Sequence, residues 1–245
     1  MRKYKLIGVS TLLLIIAFLT LSFIMNEHNN TPALFYKVRA PKIKNPNPPL
    51  LILLHGVGGN EEDLFSLADK LPDEFLVVSV RGPLTFGPQS FAWFQVDFGS
   101  GRPVINEKQA EDARIAILKF IEDLKTVEHF DSKKVYMMGF SQGGIMSYST
   151  ALTAPDKIAG IAVMSGRLLP EVKPLIANQK ELAKLKIFIS HGKNDEVLTY
   201  QFALDANQYL NTLRLQPEFH SYEERHTVNE EMLRDATNWL LKVSH

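Results

Sequence analysis

Eleven residues near the middle of the chain, Lys134-Val135-Tyr136-Met137-Met138-Gly139-Phe140-Ser141-Gln142-Gly143-Gly144, constrain the fold more than any others. A short apolar run suited to a buried strand ends in Gly-x-Ser-x-Gly and passes directly into Ile145-Met146-Ser147-Tyr148, the opening of a helix. Strand, tight turn and helix in so few residues hold the central Ser141 in a strained backbone conformation, with its hydroxyl standing out of the sheet. Only small neighbours let strand and helix come that close, and Gly139 and Gly143 meet the need. So short a motif also arises by accident, so its meaning depends on the rest of the chain.

The rest supplies strands alternating with helices. Leu50-Leu51-Ile52-Leu53-Leu54 is an unbroken apolar run, the mark of a strand covered on both faces. Residues 75–80, 158–164, 186–190 and 217–222 read as further strands, with residues 34–39 as an edge strand ahead of a proline-rich connection. Helical pattern covers residues 61–71, 107–127, 200–213 and 228–243; in the second of these Ala110, Ala113, Ile117, Leu118, Ile121 and Leu124 share one face. This order predicts an α/β domain over residues 34–245 with a doubly wound, mostly parallel sheet, and ligands in such sheets bind at the carboxyl ends of the strands.

A serine hydroxyl is a poor nucleophile near neutral pH unless a base, usually histidine oriented by a carboxylate, lies within hydrogen-bond reach. Two downstream strand ends offer partners. Asp195 follows the strand and turn of residues 186–194, and His226 follows residues 217–222, so the chain order is Ser141, Asp195, His226. His220 is the rival base, although alternation puts it inside its strand. His191 and His55 precede glycines at strand ends and read as loop supports. His220, Glu223, Glu224 and His226 show no metal-ligand spacing, so no metal is expected.

Acyl transfer builds negative charge on a carbonyl oxygen, which fixed backbone N–H groups can stabilise. The glycine-rich turn His55-Gly56-Val57-Gly58-Gly59 offers Val57 N–H, and Gln142 N–H lies directly after the candidate nucleophile. A dinucleotide-binding reading of Gly56-x-Gly58 fails for want of a third glycine. Asn60 reads as the cap of the next helix. Phe86, Phe91, Trp93, Phe94 and Phe98 crowd the connection between residues 80 and 107. They read either as aromatics burying that connection or, for the first four, as an apolar wall that binds the acyl part of a substrate.

Leu-His-Gly-x-Gly-Gly-Asn, Gly-Phe-Ser-Gln-Gly-Gly, His-Gly-x-x-Asp-x-Val and a late histidine together resemble the phospholipase/carboxylesterase family of α/β hydrolases, from about Leu50 to the C-terminus. The resemblance implies the α/β-hydrolase fold and a cofactor-free serine esterase or thioesterase acting on small esters or thioesters. It also implies Ser141, Asp195 and His226 as the catalytic residues and Val57 and Gln142 as oxyanion donors. Two positions depart from the family pattern: Arg225 stands where a glycine usually precedes the histidine, and Trp93-Phe94-Gln95 replaces Trp-aromatic-Asp. Lysophospholipase action, and a non-catalytic binding protein on the same fold, are the alternative readings.

Residues 6–25 carry no charge, and at about 1.5 Å per residue such a stretch matches the roughly 30 Å hydrocarbon core of a bilayer. Arg2, Lys3 and Lys5 precede it, an asymmetry that puts the chain after Met25 outside the cytoplasm. Residues 1–25 therefore read as a membrane anchor or a cleaved signal peptide, and residues 26–33 as a linker. Lys plus Arg equals Asp plus Glu at 27 each, so nothing points to nucleic acid. The absence of cysteine excludes disulfides and a thiol nucleophile.

Overall fold

Leu50–Leu54 is apolar at every position because both of its faces are covered, and each of its five side chains is buried. The computed structural model describes residues 32–97, 99 and 104–245. In chain order the elements are β1 (Tyr36–Arg39), β2 (Leu50–Leu54), α1 (Glu61–Phe65), β3 (Leu76–Val80), β4 (Leu84–Gly87), β5 (Ser90–Ala92), β6 (Val96–Asp97), β7 (Val104–Ile105) and α2 (Glu107–Val127). There follow β8 (Val135–Phe140), α3 (Gln142–Thr153), β9 (Gly160–Met164), α4 (Gln179–Leu182), β10 (Lys186–Gly192), α5 (Tyr200–Thr212), β11 (Glu218–Tyr222) and α6 (Glu230–Ser244). The main sheet has the order β1-β3-β2-β8-β9-β10-β11, with β1 antiparallel to β3 and every other pair parallel.

Side chains along a strand point alternately to the two faces, and each face has its own core. Leu50, Ile52 and Leu54 pack on one side with Ile117, Phe120 and Ile121 of α2, Ile145 and Met146 of α3, and Leu210 of α5. Leu51 and Leu53 face the other way, toward Leu64 of α1 and Leu233, Trp239 and Leu240 of α6. Burying one such leucine favours folding by about 1.5–3 kcal/mol, so the pattern locks the register of the central strands.

Several expected boundaries move. The helix expected over residues 61–71 ends at Phe65 and continues only as a 3-10 turn at Ala68–Lys70. Its start is fixed by the Asn60 side chain, which accepts from Glu62 N–H, and by Asp63, which accepts from Asn60 N–H. The last helix begins at Glu230, because Asn229 caps it by accepting from Met232 N–H. The aromatic connection after β3 contains two antiparallel hairpins, β4–β5 and β6–β7, whose strands of two to four residues carry no period long enough to read. The candidate anchor at residues 1–25, most of the linker and Phe98 lie outside the described residues. Among the described residues no helix is long and apolar enough to cross a membrane.

The turn between β8 and α3 is packed too closely to admit side chains at its two glycines. A Cβ on Gly139 would sit 2.3 Å from the carbonyl oxygen of Gly143, and one on Gly143 would sit 1.9 Å from that of Leu54. Gly143→Ala is therefore expected to cost at least about 3 kcal/mol or to prevent folding. Gly87→Ala, where a Cβ would meet nothing nearer than 4.0 Å, should shift stability by no more than about 1 kcal/mol. Urea denaturation of the two variants checks both, and a Gly143→Ala protein as stable as the parent would contradict the packing described.

Candidate active site

Because β2, β8, β9, β10 and β11 are parallel, their carboxyl ends open at one edge, and the polar residues singled out in the sequence gather there. Ser141 follows β8 with φ 53° and ψ −116°, a conformation that costs a non-glycine residue on the order of 1–3 kcal/mol. Its N–H donates to Met164 O at 2.9 Å, tying the turn to β9, and its carbonyl accepts from Ile145 N–H at 3.0 Å, starting α3. The surrounding close packing leaves the backbone no relaxed alternative.

His226 Nε2 lies 2.9 Å from Ser141 Oγ, and His226 Nδ1 lies 2.7 Å from Asp195 Oδ2. Asp195 is buried, and its other oxygen accepts from Val197 N–H at 2.9 Å and Leu198 N–H at 2.8 Å. These donors fix the carboxylate before the imidazole meets it. Three side chains from loops 54 and 31 residues apart thus form one run of hydrogen bonds from hydroxyl through imidazole to carboxylate. Such a run can remove a proton from the hydroxyl as it attacks a carbonyl and hold the resulting imidazolium. Phe140 flanks the imidazole, with ring centroids 4.9 Å apart.

Arg225 leaves this geometry intact. Its guanidinium points outward to Glu196, 2.6 Å away, and its backbone has no positive φ, so the position does not need glycine. The rival base His220 sits within β11 beside Phe188 and Glu218 and makes no hydrogen bond to Ser141.

The turn after β2 is held from three sides. His55 Nδ1–H donates to Gly56 O at 2.7 Å while its Nε2 accepts from Gly82 N–H at 2.9 Å, which requires the neutral ring. Trp93 Nε1–H donates to His55 O at 3.0 Å. Phe91 exchanges backbone bonds of 2.8 Å with both Gly58 and Gly59, and Gly58 takes φ 81°. The Gln142 side chain closes the frame by accepting from Trp93 N–H and donating to Phe94 O, each at 2.7 Å. Val57 and Gln142, the two candidate oxyanion donors, border the same cavity as Ser141.

That cavity has room for about 40 Å³, on the order of three water-sized groups. Its walls include Phe94, Val96, Ile105, Ile145, Val197 and Leu198, with Arg167 as the one charged side chain among the described residues. Of the four aromatics expected to form an acyl wall, only Phe94 lines it. The ring of Phe91 lies against the Arg81 guanidinium at 4.4 Å, Trp93 is fully buried beneath the turn after β2, and Phe86 is exposed on β4. Density of aromatics in the sequence did not reveal which way each would point. Of the remaining wall residues, Ile145, Val197 and Leu198 lie close to Ser141 or Asp195 in the chain, whereas Val96, Ile105 and Arg167 come from other segments and carry no local signal. Gln95, where the family pattern has Asp, uses its backbone instead: its carbonyl accepts from Asn106 N–H and its N–H donates to Gln109 Oε1, each at 2.9 Å, which anchors the start of α2. Among the described residues no group of three or more potential metal ligands occurs.

His191 is fully buried in β10. Its Nε2–H donates to Leu198 O at 2.6 Å and lies 3.2 Å from Asp195 Oδ2, so it supports the Asp195 turn from below. Burial lowers the pKa of both His55 and His191 from the ordinary histidine value, chiefly by desolvating the charged ring.

A family model described as phospholipase/carboxylesterase matches residues 37–244. Acyl-protein thioesterase 1 of Mycosarcoma maydis is 27% identical over 220 residues, covering 79% of this chain and 90% of the relative. The bifunctional acetylxylan esterase/xylanase XynS20E of Neocallimastix patriciarum is 32% identical over 168 residues, which cover 67% of this chain and 22% of that longer protein. Among solved structures, the carboxylesterase of Bacillus cereus shares the fold with a TM-score of 0.75 at 22% identity, covering 86% of this chain and 95% of its own.

Two neutral imidazoles beneath the site have a consequence for stability. Below pH 6.5, the ordinary histidine value, the unfolded chain takes up protons at residues 55 and 191 that the folded chain refuses, so stability falls with pH. The urea midpoint is expected to be lower at pH 5.5 than at pH 7.5, with a smaller difference in His55→Gln. A midpoint that is level or rises on acidification would contradict the neutral assignment.

Proposed function

The chain belongs to the phospholipase/carboxylesterase family of hydrolases, and within it we propose a serine carboxylesterase that cleaves short-chain carboxylic esters through an acyl-enzyme. The observation that carries this reading is the unbroken pair of hydrogen bonds, Ser141 Oγ to His226 Nε2 at 2.9 Å and His226 Nδ1 to Asp195 Oδ2 at 2.7 Å. Ser141 attacks the carbonyl carbon while His226 takes its proton. Asp195 holds the tautomer with hydrogen on Nδ1 and stabilises the imidazolium. The N–H groups of Val57 and Gln142 receive the charge that develops on the carbonyl oxygen, a contribution on the order of 3 kcal/mol per donor. His226 then returns the proton to the leaving alcohol, and water repeats the sequence on the acyl-enzyme.

The strained backbone of Ser141 presents the hydroxyl without further rearrangement, which favours attack. The small cavity beside it favours acyl groups of two to four carbons over fatty acyl chains. Thioesters carrying the same short acyl group suit the same chemistry, since only the leaving group differs. The likeness to an acetylxylan esterase agrees with a short acyl group, and the likeness to acyl-protein thioesterase leaves thioesters within reach. The uncharged residues 6–25, with basic residues before them, support a domain anchored to or exported across a membrane. Membrane fractionation of the full chain tests this, and wholly soluble, unprocessed protein would refute it.

Ser141→Ala and His226→Gln should each lower kcat/KM for 4-nitrophenyl acetate at least about 10⁴-fold with unchanged circular dichroism, whereas His220→Gln should stay within a few-fold of the parent. Retained turnover in Ser141→Ala would refute the assignment. 4-Nitrophenyl palmitate cleaved faster than the acetate would refute the short-chain reading.

A further inference from the structure

The cavity beside Ser141 is mostly apolar beyond Ser141 and Gln142 themselves. Among the described residues Arg167, which follows β9 by three residues, is the only charged side chain in its wall. The guanidinium leans on the Phe202 ring of α5, 5.3 Å from its centroid. Its Nε is shut off from solvent and has no hydrogen-bond partner, and among the described residues no carboxylate lies within ion-pair distance. Burial lowers its pKa from the ordinary arginine value, with Glu171 opposing from a distance. A cation held in apolar surroundings without a counter-charge is unfavourable until an anion arrives, and a guanidinium pairs best with a planar, two-oxygen anion.

The protein itself shows the pairing that such an arginine makes. Arg81 engages Glu61 through Nε and Nη2 together, and Arg114 engages Glu111 through the same two nitrogens. In Arg167 the Nε of that edge has no partner, and the side chain lines both the cavity that holds Ser141 and a neighbouring one bordered by Phe202 and Asp205. We propose that Arg167 receives a carboxylate carried by the substrate, so that the preferred esters are monoanionic, with the charge a few bonds from the scissile carbonyl. A single guanidinium balances a single charge, which suits a carboxylate better than a phosphate monoester with up to two. This inference rests on the esterase reading and narrows its substrate class. The contrary reading is that Arg167 merely roofs Phe202 and is satisfied by water.

Two near-isosteric pairs separate these readings. Monoethyl succinate against ethyl butyrate puts a carboxylate in place of a methyl on the acyl side, and 4-acetoxybenzoate against 4-acetoxybenzamide puts it on the leaving-group side. The quantity read is the ratio of kcat/KM, anionic over neutral, which is independent of how much of each preparation is folded. The parent is expected to favour the anionic member of at least one pair by about tenfold or more. Arg167→Met should bring that ratio to one or below, and Arg167→Lys, which keeps the charge but not the fork, should retain part of it. A parent ratio at or below one in both pairs overturns the proposal, as does a preference that survives in Arg167→Met. Should Arg167→Met not fold, an undiminished ratio in Arg167→Lys overturns it instead. Failure of the parent to hydrolyse any of the four esters would count against the esterase reading, not against Arg167 alone.

Discussion

The close approach of β8, its turn and α3 is the contact on which the remaining architecture depends. Gly139 and Gly143 leave no room for a Cβ, so the chain between them can reverse direction only with Ser141 held at positive φ. That conformation is unfavourable for serine by itself, and the two-sided core of the sheet supplies the free energy that maintains it. The strain is local, while its compensation is spread over the apolar strands and the helices that cover them. A hydroxyl standing clear of the sheet follows from this packing.

Around that hydroxyl the polar groups are arranged in two tiers. The upper tier is His226 and Asp195, which touch the serine directly or through one ring. The lower tier is His55, His191 and the Gln142 side chain, which never reach Ser141 Oγ but fix the backbone from which the upper groups project. Buried polar groups of this kind are favourable only when their partners are supplied, and here the partners are mostly backbone atoms of neighbouring loops. The result is a site whose precision comes from strand ends rather than from flexible surface loops.

Much of this was legible in the sequence because its causes are local. An unbroken apolar run such as Leu50–Leu54 between turn signals suits a strand covered twice, Gly-x-Ser-x-Gly between a strand pattern and a helix pattern suits a tight strand-to-helix turn, and a histidine or aspartate after a strand lies at the same edge in a parallel sheet. The cavity was not legible, because its wall is assembled by tertiary contact. Phe91 and Trp93 sit two residues apart in one crowded stretch, yet one packs on Arg81 and the other under His55. Arg167 lines the cavity from the segment after β9, whose local sequence gives no hint of it. The hairpins β4–β5 and β6–β7 escaped notice because two- to four-residue strands are too short for an alternating pattern to emerge.

The central claim is that one hydroxyl among many has been made reactive by the imidazole beside it. Treatment of the intact protein with a fluorophosphonate, followed by peptide mass spectrometry, tests it most directly. The account predicts stoichiometric phosphonylation at Ser141 alone, abolished in His226→Gln; absence of labelling, or labelling spread over other serines, would contradict it.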